Sequence, residues 1–109
     1  MVTDKGVRHW HGAKKDSEFA PEFARYNDDI LFGEVWAKED HLTDKTRSII
    51  TISALISGGN LEQLEHHLQF AKQNGVTKEE IADIITHLAF YVGWPKAWSA
   101  FNKAKEIWI

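Results

Sequence analysis

The stretch NGVTKEEIADIITHLAFYVG, residues 74–93, decides the fold class. Asn74-Gly75 closes one helix, because glycine readily takes the left-handed conformation at which helices end. Thr77, with Glu80 three residues later, forms a capping box that opens the next. Ile81, Ile84, Ile85, Leu88, Ala89 and Val92 then recur with a period of about 3.6 residues, and Gly93 ends the run. A stop, a start, an amphipathic run and a second stop read as helix, turn, helix.

The same reading extends outward. Asn60 with Gln63 makes another capping box, for a helix running to Asn74 with the stripe Leu61, Leu64, Leu68 and Ala71. Gly58-Gly59 breaks the chain before it. Thr43 caps a helix from Asp44 to Ser57, whose apolar positions Ile49, Ile50, Ile52, Ala54, Leu55 and Ile56 nearly encircle it, the pattern of a central helix. Pro21 to Lys38, with Phe23, Tyr26, Ile30, Phe32 and Val35, reads as a further helix with Pro21 in its first turn. Toward the end of the sequence, Pro95 pushes Trp94 out of the helical region and opens a fifth helix bearing Trp98, Phe101, Ala104 and Trp108. No segment sustains period-two alternation. The expectation is an all-α bundle of about five to six helices over residues 18–109, preceded by a polar, aperiodic arm at residues 1–17. Short connections make consecutive helices antiparallel neighbours, with helix two and the pair three–four as the core.

Composition narrows the chemistry. The 109 residues suit one domain and bury enough surface for a core without staples. The absence of cysteine excludes disulfides, thiolate nucleophiles and cysteine-held metals. A net charge of −3 without a basic block argues against nucleic acid as the main partner. The longest apolar-leaning run, Ile49 to Ile56, is broken by Thr51 and Ser53 and falls far short of the ~20 residues of a membrane span. Met1 to Lys5 is followed by no apolar stretch, so no signal peptide is expected and the location expected is cytoplasmic. Five Trp and six Phe exceed the needs of one small core and point to oligomer contacts or an apolar pocket.

With no thiols, His, carboxylates and Arg must carry any chemistry. His9 and His11 flank Trp10 but lack a third metal ligand nearby, and a solvated arm is the favoured reading. His66 and His67 are adjacent on helix three and diverge by about 100°. His67 lies on the edge of the apolar stripe and His66 faces water. His87, three residues after Ile84, borders the buried face of helix four. An imidazole at such a seam is reachable and open to a pKa shift, which suits a general acid or base. The alternative is a core histidine bonded to a backbone carbonyl. With His67 and His87 on facing helices, the two readings stand near even. No pair of Glu-x-x-His helices is present, so a dimetal centre is rejected. Glu34 stands among Phe32, Val35 and Trp36. Arg47 precedes the apolar run of helix two and can pair Glu34 or an anionic ligand.

Taken together, several pieces resemble the carboxymuconolactone decarboxylase family, within the alkylhydroperoxidase D-like fold. They are Phe32 to Trp36, Lys45 to Thr51, Leu64 to Leu68 with His67, Asn74 to Thr77 with Glu79 to Ile81, and Ala89 to Pro95. In the family's hydroperoxidase branch a Cys-x-x-Cys pair, a His and a Glu do the work. The matching positions here are Asn60, Gln63, His67 and Ser48, so thiol-based peroxide reduction is disfavoured. The cysteine-free decarboxylase branch is the better likeness. It implies a cofactor-free lyase that releases CO₂ from a small carboxylated lactone, in aromatic-compound breakdown. On that likeness His67 is the leading acid/base residue, with His87 and Glu34 as further catalytic candidates. Arg47 is the anion anchor and Trp36 a substrate-binding wall. It also implies a homo-oligomer, a trimer or hexamer, to which Trp36, Trp94, Trp98 and Trp108 are surplus enough to contribute. The competing reading is a non-catalytic small-molecule binder on the same scaffold. A redox enzyme would need a metal or flavin for which no motif is present.

Overall fold

A computed structural model describes residues 18–109, in two compact units that divide between Thr43 and Asp44. Each unit is helical, and no strand occurs among the described residues.

In the first unit, α1 (Pro21–Arg25) has proline in its first turn, where the missing N–H costs nothing. It continues into a π-helical stretch, Tyr26–Val35. The wider turn is visible in the Trp36 N–H, which donates to the Leu31 carbonyl five residues back at 2.9 Å. Phe32 and Trp36 stack with ring centroids 5.6 Å apart, and both are buried. The helix expected over Pro21 to Lys38 is therefore shorter, and α-helical only at its start.

The second unit contains α2 (Asp44–Gly58), α3 (Leu61–Gln73), α4 (Lys78–Val92) and α5 (Trp94–Ile107). Its core joins Ile52 and Ile56 of α2, Leu64 and Leu68 of α3, Ile81 and Ile85 of α4, and Ala97, Ala100 and Ala104 of α5. α2 and α5 each pack against all three other helices of the unit, whereas α3 and α4 make no helix–helix contact with each other. Helix two and the pair three–four form the core as expected, and α5 adds a fourth wall to it. The reason lies in side-chain size: the alanine face of α5 lets three neighbours approach its backbone closely. α2 is not buried on every side, since Ile50 is exposed.

The helix ends follow local chemistry. After α2, Gly59 N–H bonds the Ile56 carbonyl and Asn60 N–H the Leu55 carbonyl. After α3, Gly75 N–H bonds Lys72 and Val76 N–H bonds Ala71 in the same paired pattern. The pattern needs a left-handed residue, and Gly75 supplies it at φ +100°. Asn60 makes no side-chain cap, contrary to expectation. Thr77 does: its hydroxyl accepts from Glu80 N–H at 3.1 Å, and the Glu80 carboxylate accepts from Thr77 N–H at 2.9 Å. Thr77→Ala is expected to cost about 1 kcal/mol of unfolding free energy in a denaturant titration. α5 begins at Trp94, with Pro95 as its second residue, so Trp94 is helical after all. Trp108 follows the last turn of α5. It is buried and donates its indole N–H to the Val76 carbonyl at 2.9 Å.

Candidate active site

The loop at Gly58–Asn60 folds α2 and α3 into an α-hairpin, pinned at its open end by Asn74 Nδ2, which donates to Ser48 Oγ at 3.0 Å. Ser48 is fully buried. It continues the stripe of Ile52 and Ile56 at four-residue spacing, so it occupies a core position with a hydroxyl that Asn74 satisfies. The sequence reading missed this bond. The spacing Ser48, Ile52, Ile56 carries the signal, but the partner lies in a loop 26 residues away.

His67 sits in the middle of α3 and is half-buried, its Nδ1 shielded from solvent. Its ring meets Phe70 edge-on at 6.3 Å. Burial lowers its pKa below the ordinary imidazole value, and neighbouring His66 lowers it further. The adjacent His66 is exposed, as its position on the helix requires.

Arg47 occupies the first turn of α2 and is half-buried, with its Nε also shielded. Its carbonyl accepts the Thr51 hydroxyl at 2.8 Å. Ser48, next to it, bonds Asn74, seven residues beyond His67. At about 1.5 Å per residue, Arg47 and His67 lie roughly 10 Å apart along the hairpin axis. Both residues stand on the same hairpin.

His87 lies elsewhere. It is exposed on α4, stacked on Tyr91 at 4.9 Å, and lines a cavity of about 370 Å³ between α2 and α4. Ile49, Ile84 and Leu88 form its apolar wall, and Ser53, Glu80 and Asp83 line it as well. Glu80 is held below the usual carboxylate range first by the Thr77 N–H, then by Lys45, whose ammonium is 2.9 Å away. The expectation that His67 and His87 stand on facing helices is corrected, because α3 and α4 do not pack together.

The last two candidates belong to the first unit. Glu34 is exposed, and Trp36 is buried against Phe32. His41 is exposed in the loop before α2. His9 and His11 lie outside the described residues. Among the described residues no group of three or more His, Asp or Glu is placed to hold a metal ion.

A profile of the carboxymuconolactone decarboxylase family matches residues 21–106. The chain belongs to that family. Over 91 residues it is 34% identical to a 4-carboxymuconolactone decarboxylase from Acinetobacter baylyi, an alignment covering 84% of this chain and 67% of that protein. Over 80 residues it is 32% identical to the nitrosuccinic acid decarboxylase of Metarhizium robertsii, covering 70% of this chain and 55% of that one. The chain thus spans two-thirds of the first relative and little more than half of the second. Within the family, a chain without cysteine cannot run the thiol chemistry of the hydroperoxidase branch with its own residues.

Proposed function

We propose that the chain is a carboxy-lyase that releases CO₂ from a small carboxylated lactone of the 4-carboxymuconolactone type. The observation that carries this reading is His67, a half-buried imidazole of lowered basicity on the α2–α3 hairpin. The names of both relatives add a chemical constraint. Loss of CO₂ from an unsaturated lactone leaves an electron pair that the ring carbonyl can take up, and a nitro group can do the same for nitrosuccinate. A substrate with its own electron sink needs no cofactor to hold that pair.

The balance of the reaction assigns the roles. A carboxylate gives up CO₂, its bonding pair moves into the conjugated carbonyl, and one proton is then taken up at carbon. His67 in its imidazolium form donates that proton and is recharged from solvent. Arg47 anchors a substrate anion through the two-pronged geometry of its guanidinium. An axial offset of roughly 10 Å along the hairpin leaves room for a small ligand, reached by the long Arg side chain. His87, Glu34 and Trp36 lie off this hairpin and take secondary roles. The protein acts as a homo-oligomer, a trimer or hexamer. No helix among the described residues is long and apolar enough to cross a membrane.

The test is purified protein with 4-carboxymuconolactone, following loss of the lactone and release of CO₂, with nitrosuccinate in parallel. Turnover of the lactone is expected. Turnover of nitrosuccinate alone would overturn the lactone assignment. Absence of turnover with both would leave a binding scaffold and overturn the lyase reading.

A further inference from the structure

α4 and α5 meet at a sharp corner where Gly93 takes φ +100°, and the two helices run back along each other. Their inward faces are small or aliphatic. Their shared outward face carries Phe90, Trp94, Trp98 and Phe101, which are 77%, 53%, 52% and 43% exposed. This is an inversion of the ordinary arrangement, with alanines inside and indoles outside.

The four rings form one surface. Phe90 and Trp94 meet edge-to-face across the corner at 5.8 Å, and Trp98 meets Phe101 likewise at 5.0 Å. Trp94, Trp98 and Phe101 line a groove of about 190 Å³ over Ala89 and Ala97. A second groove of about 350 Å³ continues from it, sharing Ile85 and Phe101 and reaching Trp108. Lys78 and Lys105 line the second groove, and the Lys105 ammonium lies 5.5 Å from the Phe101 ring centroid.

We infer that this α4–α5 face is where a second copy of the chain docks. The inference rests on the homo-oligomer reading above and names its surface. Area supports it: at 150–250 Å² per aromatic side chain, the four exposed fractions amount to roughly 450 Å². That is the size of the largest apolar patch on a typical monomer, which is often functional, and more than half of the ~800 Å² each partner contributes to a standard interface. Shape supports it too. Contact between identical chains needs projections and hollows on the same molecule, and here projecting indoles and the grooves to receive them lie side by side. Trp is among the residue types that dominate interface energies, and Phe is enriched at interfaces.

The experiment is sedimentation equilibrium on the unaltered chain and on a Trp94→Glu/Trp98→Glu variant, with far-UV circular dichroism to follow helix content. The unaltered chain is expected to be an oligomer, and the variant to lose half or more of that mass with helicity kept. A second readout needs no variant: acrylamide quenching of tryptophan fluorescence should rise as the unaltered chain is diluted through dissociation. An unaltered chain that is monomeric at every concentration would overturn the homo-oligomer reading itself. An oligomer whose mass the folded variant preserves, or whose quenching is the same before and after dissociation, would overturn only the α4–α5 surface.

Discussion

Replacing His67 with alanine is expected to lower turnover of 4-carboxymuconolactone by about 10² to 10⁴-fold, the usual worth of a positioned proton donor. The cost in stability should stay near or below ~1 kcal/mol, because the ring is half-exposed and its loss opens no sealed core. A structural histidine would give the reverse, a large loss of stability with proportionate loss of activity. The pH profile adds a readout that packing cannot mimic. Burial depresses the pKa of His67, so its imidazolium form disappears as pH rises through a value below the ordinary ~6.5. If imidazolium is the donor, kcat/KM falls on the alkaline side of that lowered value. Stability moves the other way: the unfolded chain holds the proton more readily, so acidification from above the ordinary range down to the folded value weakens the fold, and below that value the effect stops growing. His67→Gln should remove the His67 contribution to both dependences. A rate that stays flat from about pH 5 to 7 in the unaltered enzyme would overturn the assignment of His67 as proton donor.

What the sequence disclosed and what it withheld divide along the range of the interaction. The Thr77–Glu80 box and the glycine stops at Gly59 and Gly75 depend on residues within one turn of each other, and all were legible. The order of packing was not. A hydrophobic scale ranks Trp98 and Phe101 above Ala97 and Ala100 as inward residues. The structure reverses the ranking because α5 packs against three helices, and close approach of backbones favours the smallest side chains. Trp94 was misread for a related reason. The steric bias of a residue before proline acts on an isolated dipeptide, whereas here Gly93 turns the chain and Pro95 tolerates the first helical turn.

The candidate site shows the same division. Periodicity placed His67 at the seam of α3 and His66 in solvent, and the structure agrees. It could not say which helix faces α3. Without that, His67 and His87 looked like partners, when α4 instead turns His87 toward α2 and a separate cavity. Of the four Trp expected to be surplus to the core, Trp36 and Trp108 are sheltered, leaving Trp94 and Trp98 outside. The indole N–H explains one case: Trp108 reaches the Val76 carbonyl, a partner 32 residues away in sequence.

Truncating Leu68 to alanine is expected to destabilise the fold by about 2–5 kcal/mol, enough to unfold a marginal domain. Leu68 is fully buried on α3, one turn from Leu64, in the core that α3 shares with Ile52 and Ile56 of α2 and with the alanine face of α5. Those neighbours set the magnitude. α5 already packs through Ala97, Ala100 and Ala104, whose side chains cannot extend into a vacated space. The hairpin is closed by the Gly58–Asn60 loop and tied at its other end by the Asn74–Ser48 bond, so α2 and α3 cannot slide together to fill it. The cavity should therefore remain largely open, placing the cost toward the upper part of the range. Leu68→Met, which keeps the volume, should cost less than about 1.5 kcal/mol. Urea titration measures both, and equal midpoints for the alanine and methionine variants would show that the hairpin collapses freely, contrary to this account. Because Leu68 is the residue after His67, the alanine variant also tests rigidity. If the hairpin holds the imidazole in place, turnover per folded molecule should fall in Leu68→Ala and stay near the unaltered value in Leu68→Met.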